Sequence, residues 1–182
     1  MKKTKLFLLA LLCAGGVTTA SAQSYSLRTN VLGLASTNLN LEASMTLSQK
    51  WSAHVPVQYN PFKFSRNRQF RNLYVAPGVR YWLLQSYIGG FIGLSVPMGT
   101  YSVGNLFGSD YRYEGEGYGI ALSIGRAYQL GKNWNFEWEV GAGALWLDYD
   151  KYQCKLCGDL VDRTTKWSFL PTRAALNIVY LF

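Results

Sequence analysis

Apolar and polar residues alternate one by one along much of this chain, the period a strand imposes because successive side chains point to opposite faces. From Asn38 to Leu47 one set reads Leu39, Leu41, Ala43, Met45 and Leu47, and the other Asn38, Asn40, Glu42, Ser44 and Thr46. After a turn at residues 48–50, Trp51, Ala53, Val55, Val57 and Tyr59 alternate with Ser52, His54, Pro56, Gln58 and Asn60. Tyr118, Ile120, Leu122 and Ile124 oppose Gly119, Ala121, Ser123 and Gly125. Beyond the turn "LGKN", Trp134, Phe136, Trp138, Val140, Ala142 and Ala144 alternate with Asn135, Glu137, Glu139, Gly141 and Gly143. The chain ends on "RAALNIVYLF", with Ala174, Leu176, Ile178, Tyr180 and Phe182 on one face.

Further strands near residues 25–34, 72–83 and 87–97, with the last strand spanning about 168–182, bring the count to eight, enough to close a barrel. Glycines blur the faces of 87–97, and Pro56 and Pro77 remove ladder donors, as at an edge or bulge. Short connections at 48–50, 84–86 and 130–133 alternate with long ones at 60–71, 98–117 and 149–167, residues 35–37 being a short exception. That asymmetry belongs to outer-membrane barrels. Trp51, Tyr81, Tyr128 and Trp134 fall near the short turns, and Tyr59, Tyr118, Trp146 and Trp167 near the long loops, as two interfacial girdles would. A soluble lipocalin-like barrel is the alternative, and it would turn Leu, Met and Val inward and Glu, Asn and Arg outward.

The chain's ends separate the two. "MKKTKLFLLALLCAGGVTTASAQ" has a basic start, an apolar run from Leu6 to Leu12 and a small-residue stop at Ala20, Ser21 and Ala22. This is the form of a secretory signal peptide, residues 1–22, with cleavage before Gln23 and residues 23–182 left as one barrel domain. Leu12 stands where a lipoprotein signal around Cys13 would need a small residue. The formal net charge is +8, and three of the cations lie in the leader. No apolar run reaches the ~20 residues of a transmembrane helix. Phe182, a terminal aromatic on an apolar strand face, has the form of the signal read by the barrel insertion machinery. The expected fold is all-β: an eight-stranded antiparallel up-and-down transmembrane β-barrel with short periplasmic turns and longer outer loops, in the bacterial outer membrane.

An eight-stranded barrel is just wide enough for its side chains to fill, which argues against a conducting channel. Glu42, Arg80, Glu137, Glu139 and Arg173 share inward parity and are expected to form a charge network, since unpaired charges there cost several kcal/mol each. A plug of salt bridges is the leading reading, and a proton or ion path the alternative. His54 faces inward three residues beyond a periplasmic turn, the wrong end for chemistry on outer-leaflet lipid. Without it no Ser-His-Asp set can be assembled at the outer rim. No catalytic residue and no cofactor are expected, and a lipid-modifying enzyme is the alternative function class.

Two loops carry further candidate chemistry. "NPFKFSRNRQFRN", residues 60–72, interleaves Lys63, Arg66, Arg68 and Arg71 with Phe62, Phe64 and Phe70. In the cytoplasm this would suggest nucleic acid; outside the cell it suggests outer-membrane lipid, the phosphates of lipopolysaccharide, or an acidic partner. A solvated rim with aromatics resting on the membrane is the plainer alternative. "YDKYQCKLCGDLVD" holds Cys154 and Cys157, the only cysteines beyond the leader, in the loop between the seventh and eighth strands. A structural zinc wants four Cys or His ligands, so a metal would need a second chain or Asp159 and Asp162. A disulfide suits an exported protein, with shared metal and redox work as alternatives.

"YNPFKF", "GVRYWL", "YRYEGEGYGIALSIGRAY", "NWNFEWEVGAGALWLDYDKYQCKLCG" and "PTRAALNIVYL" together resemble a family of small Bacteroidota proteins catalogued as a domain of unknown function. The resemblance covers nearly all of residues 25–182. It implies an outer-membrane barrel and a neighbourhood of fimbrillin-type surface proteins, whose assembly or anchoring becomes a hypothesis. It carries no catalytic residues.

Overall fold

The computed structural model describes residues 24–64, 68–104, 112–152 and 160–182. Its elements run β1 (Tyr25–Asn30), a short helix α1 (Val31–Ala35), β2 (Leu39–Ser48), β3 (Trp51–Asn60), β4 (Lys63–Phe64), β5 (Arg68–Val75), β6 (Gly78–Trp82), β7 (Gly89–Ser95), β8 (Met98–Gly104), β9 (Arg112–Gln129), β10 (Trp134–Tyr152) and β11 (Leu160–Leu181). Every pairing is antiparallel.

β5 and β6 are one strand interrupted at Ala76–Pro77, and β7 and β8 one strand interrupted at Val96–Pro97. The pairs Val75↔Met98 and Gly78↔Ser95 keep one register across both gaps, so the interruptions face each other. Val96 N–H donates to Pro77 O at 2.9 Å across them. Two prolines without donors thus sit diagonally across the facing gaps, Pro77 opposite Val96 and Pro97 opposite Ala76, and the ladder resumes in phase. Counted this way, eight strands pair in sequence and β11 returns to β1, which closes a ring. Both described chain ends and the turns at 49–50, 83–88 and 130–133 lie at one end, the turn end.

The two faces are sorted against the usual rule for proteins in water. Arg28, Glu42, Ser44, Ser52, His54, Arg80, Ser123, Asn135, Glu137, Glu139 and Asn177 are buried inside the ring. Leu39, Leu41, Val55, Val57, Ile92, Leu94 and Val140 are exposed outside it, as are Ile120 at 62% and Leu122 at 61%. On β11, Ala174, Leu176, Ile178, Tyr180 and Phe182 share the outer face, as their alternation predicts, while Ala175, Asn177, Val179 and Leu181 are buried.

The apolar core is small and sits at the turn end. Trp82, Tyr87, Phe91, Ala127, Val179 and Leu181 form it, with the Trp82 and Phe91 rings 4.7 Å apart. Tyr87 holds a left-handed backbone, φ 68°. Such a conformation costs on the order of 1–3 kcal/mol and persists only when its surroundings fix it. Its hydroxyl meets Ser44 Oγ at 3.1 Å, and its carbonyl accepts from Asn135 Nδ2 at 2.7 Å.

Several sequence expectations change here. The first strand does not run through residues 25–34. It stops at Asn30, whose side chain accepts from Leu32 N–H and caps α1. The fifth strand starts at Gly89 rather than Tyr87, because Tyr87 is bent into the turn. The long connections at 60–71, 98–117 and 149–167 are in good part strand: β8 runs to Gly104, β9 begins at Arg112, β10 reaches Tyr152 and β11 begins at Leu160. Far from the turn end, β5, β8, β9, β10 and β11 therefore continue as a sheet. β1 pairs with β11 only over Asn177–Leu181, so among the described residues this far-end sheet is open along the outer half of β11.

Candidate functional site

The interior charges meet at one place. Arg80, on β6, donates from Nη1 to Glu42 and from Nη2 to Glu139, both at 2.7 Å. Arg28, on β1, reaches Glu137 at 2.8 Å and Glu42 at 3.5 Å. Arg173, on β11, pairs with Glu42 and, at 2.6 Å, with Glu139. Ser123 donates to Glu139 at 2.7 Å and Asn177 to Glu137 at 3.2 Å. The structure thus brings Glu42, Arg80, Glu137, Glu139 and Arg173 together and adds Arg28, so three guanidinium groups face three carboxylates.

The cluster is built by strand register. β2, β3 and β6 set Glu42 beside Arg80, while β9, β10 and β11 set Ser123, Glu139 and Arg173 on the facing wall. Space for it depends on two glycines. A Cβ at Gly93 would lie 2.4 Å from Ser123 Oγ and 3.6 Å from Arg80 Cγ. One at Gly141 would lie 3.0 Å from Ser123 Cβ and 3.3 Å from Arg173 Cβ. The cluster rests on the aromatic core, with the Arg80 guanidinium 5.0 Å from the Phe91 ring centre and that of Arg28 5.9 Å from Tyr87. His54 is buried beside it, opposite Ser44 and Gly78. What this arrangement does chemically is neutralise itself. Each charge has a partner of opposite sign, and the turn-end interior is closed by the rings below.

Above the cluster the interior widens. A cavity of about 80 Å³ is lined by Asn30, Asn40, Glu42, Tyr74 and Arg173, and a larger one of about 210 Å³ by Gln58, Asn72, Tyr74, Leu145 and Leu147. Beside them the seam between β1, β2 and β11 is sewn by asparagine side chains rather than a ladder. Asn40 accepts from Asn30 N–H at 2.6 Å and donates to Asn30 O at 3.0 Å. Asn30 in turn accepts from Leu176 N–H at 3.1 Å and donates to Ala174 O at 3.2 Å.

The outer face changes character along one continuous hydrogen-bonded row. Val75, Met98, Tyr118, Trp146 and Trp167 are mutually paired across five strands. Two residues farther on, the same strands carry Leu73, Thr100, Glu116, Asp148 and Thr165, and two farther still Arg71, Ser102, Glu114, Asp150 and Arg163. Arg163 lies 3.3 Å from Asp148 and 3.8 Å from Asp150, and Ser102 donates to Glu114 at 2.9 Å. Aromatic pairs mark both limits of the apolar face. Trp146 and Trp167 stand 5.2 Å apart at the far limit, and Trp51–Tyr81 and Trp134–Tyr180 lie 5.2 and 4.9 Å apart at the turn end.

The remaining candidate residues divide. Arg71 is exposed on the charged row opposite Ser102. The backbone at Lys63 pairs with Gln69, and Arg68 pairs with Phe64, in a two-residue ladder. Arg66, Cys154 and Cys157 lie outside the described residues. Phe182 is exposed, exchanges both main-chain bonds with Tyr25, and stacks 5.6 Å from Tyr180. Among the described residues no group of three or more His, Cys, Asp or Glu is placed to hold a metal ion. Arg28 was legible as the inward partner of Ser26 in "YSLRTN", but six residues offer too little alternation to fix a face.

These features define an all-β protein whose closed strand ring buries its charges and exposes its apolar side chains. Within that class the chain belongs to the family described as "Protein of unknown function (DUF3575)", which matches residues 7–182. No curated protein and no solved structure matches it.

Proposed function

We propose that this chain is an outer-membrane β-barrel that crosses the bilayer with its eight strands and offers its far-end sheet to a partner at the cell surface. The observation that carries the reading is the reversal of faces. In water, a ring exposing Leu, Ile and Val on every strand would present an apolar patch far larger than a monomer tolerates. In lipid, the same face is the solvated one, and over the turn half the closed ring leaves no sheet edge in the hydrocarbon.

The dimensions agree. The twelve residue steps from Trp134 to Trp146 rise roughly 28–32 Å at ~3.3 Å per residue and a 35–45° tilt. That is an apolar band with an aromatic girdle at each limit. The row of Glu116, Asp148, Glu114 and Asp150 lies just beyond the far girdle, where polar side chains meet water or lipid headgroups again. The turn end faces the periplasm, and the compensated cluster serves stability rather than conduction or catalysis. The resemblance in the motifs supplies the partner: assembly or anchoring of fimbrillin-type surface proteins.

The experiment is in two parts. Membranes extracted with alkaline carbonate are expected to retain the protein, and unheated samples to migrate differently from boiled ones on a gel. Recovery in the soluble periplasmic fraction would contradict the reading. Pull-down of a fimbrillin-type protein by the intact barrel, lost when residues 149–167 are shortened, tests the partner.

A further inference from the structure

The inward face of β10 changes character part way along the strand. It runs Asn135, Glu137, Glu139, Gly141 and Gly143, and then becomes Leu145, Leu147 and Tyr149. The two leucines lie flat over the glycines of β9. A Cβ added at Gly119 would come within 2.8 Å of Leu145 Cδ2, and one at Gly117 within 2.7 Å of Leu147 Cδ2. Both leucines are half-buried, and both line the cavity of about 210 Å³ above the charge cluster, together with Pro97, Tyr74 and Tyr101. Apolar side chains that border an unfilled space forgo the contacts a packed core would give them.

The polar part of the lining is uncharged and unspent. Among the described residues no Asp, Glu, Lys, Arg or His lines this cavity. Gln58, Tyr101 and Thr172 bring side chains that have no hydrogen-bond partner among the described residues. Asn72 gives Nδ2 to Asn38 at 3.0 Å, while its Oδ1 is buried without a partner. Gln58, Tyr74 and Thr172 also line the smaller cavity below, where Glu42 and Arg173 already answer each other. Apolar walls with a few convergent polar groups, in the mouth of a barrel, are the usual setting of a small-molecule site.

We propose that this mouth cavity binds a small uncharged amphiphile: one apolar body a little larger than a benzene ring, carrying a single hydroxyl or amide group. The size follows from the volume, since an apolar cavity of about 150 Å³ already takes a benzene. The polar group follows from the lining. Gln58, Tyr101 and Thr172 have donors to give and Asn72 Oδ1 has only acceptance to offer, so a group that both accepts and donates meets each kind. The neutrality follows from the cluster. Three guanidinium groups already face three carboxylates, so a charged ligand would leave water and find no free counter-ion. The assignment draws on the interior alone, and holds whether lipid or water meets the outer face.

Four compounds that share a tolyl body test it: p-cresol, toluene, p-toluate and p-methylbenzylamine. With the leucine methyls labelled for NMR and the chain folded in detergent micelles, p-cresol is expected to move the Leu145 and Leu147 resonances along a saturating curve. Leu122, on the outer face, moves only in proportion to the compound dissolved in the micelle and serves as the reference. Toluene is expected to bind about fivefold more weakly, having no hydrogen bond to make, and the two ions about tenfold more weakly or worse. Gln58→Leu should weaken p-cresol about threefold and leave toluene unchanged. Leu147→Trp, which fills the space, should abolish the saturating shift at Leu145; if that variant does not fold, the Gln58→Leu comparison decides. Shifts at Leu145 and Leu147 that merely track Leu122 overturn the proposal, as do equal affinities for the neutral and the charged compounds. A chain that folds in buffer without detergent overturns the membrane reading instead, and the same titration on that soluble form decides the cavity separately.

Discussion

The turn half of the ring and the far-end sheet are made from the same strands but are stabilised in opposite ways. In the turn half, Arg28 and Arg80 meet Glu42, Glu137 and Glu139 out of contact with solvent, Arg173 joins them with a side chain 14% exposed, and Trp82, Tyr87 and Phe91 close the space below them. In the far-end sheet the charges stand outside, Arg163 over Asp148 and Asp150, while Gly115 and Gly117 let Tyr149 and Leu147 lie flat on the inner face. The difference teaches that charge position marks the solvent. Charges turn inward where the outer face is apolar, and return outward one pair of residues beyond the Tyr118–Trp146–Trp167 row.

Substitutions that exchange the two regimes are the sharpest test of that contrast. Glu42 compensates all three arginines, so Glu42→Ala leaves buried charge unpaired and should cost about 3–5 kcal/mol, read from urea unfolding in micelles or vesicles. Leu122→Arg puts a charge in the middle of the apolar face and should cost about 2–4 kcal/mol in a bilayer. The same change in water would be almost silent, so the loss itself reports the solvent. Asn30→Ala removes the α1 cap and the side chain that answers Leu176 and Ala174. A loss of about 1–2 kcal/mol is expected, with faster amide exchange at Leu176. Asp148→Asn, in the far-end sheet, breaks the exposed pair with Arg163 and should leave the unfolding midpoint unchanged. If Asp148→Asn proved as damaging as Glu42→Ala, the two regions would not differ in the way described.

Legibility in the sequence follows the same divide. Where the outer face is apolar, alternation is strict, and the faces of β2, β3, β9, β10 and β11 were readable residue by residue. Glu42, Glu137, Glu139, Arg80 and Arg173 fell on one side by parity alone. Beyond the band that constraint ends. "EGEGYG" alternates charge with glycine and "DYDKY" carries charge on both faces, so no apolar face marks the long strand arms and they read as loops. α1 was hidden because "VLGLA" continues an apolar run, and only the Asn30 cap turns it helical. The facing breaks at Pro77 and Pro97 are a pairing property that no single segment displays.

The central claim is that the outer face of the ring is in contact with lipid. Spin labels placed one at a time at Leu122→Cys, Ser123→Cys and Ile124→Cys, in a chain without Cys154 and Cys157 and folded into vesicles, test it directly by collision with oxygen. High accessibility at 122 and 124, low accessibility at 123, and exclusion of a water-soluble nickel reagent from all three is the predicted result. Ready collision of that nickel reagent with the labels at 122 and 124 would contradict it.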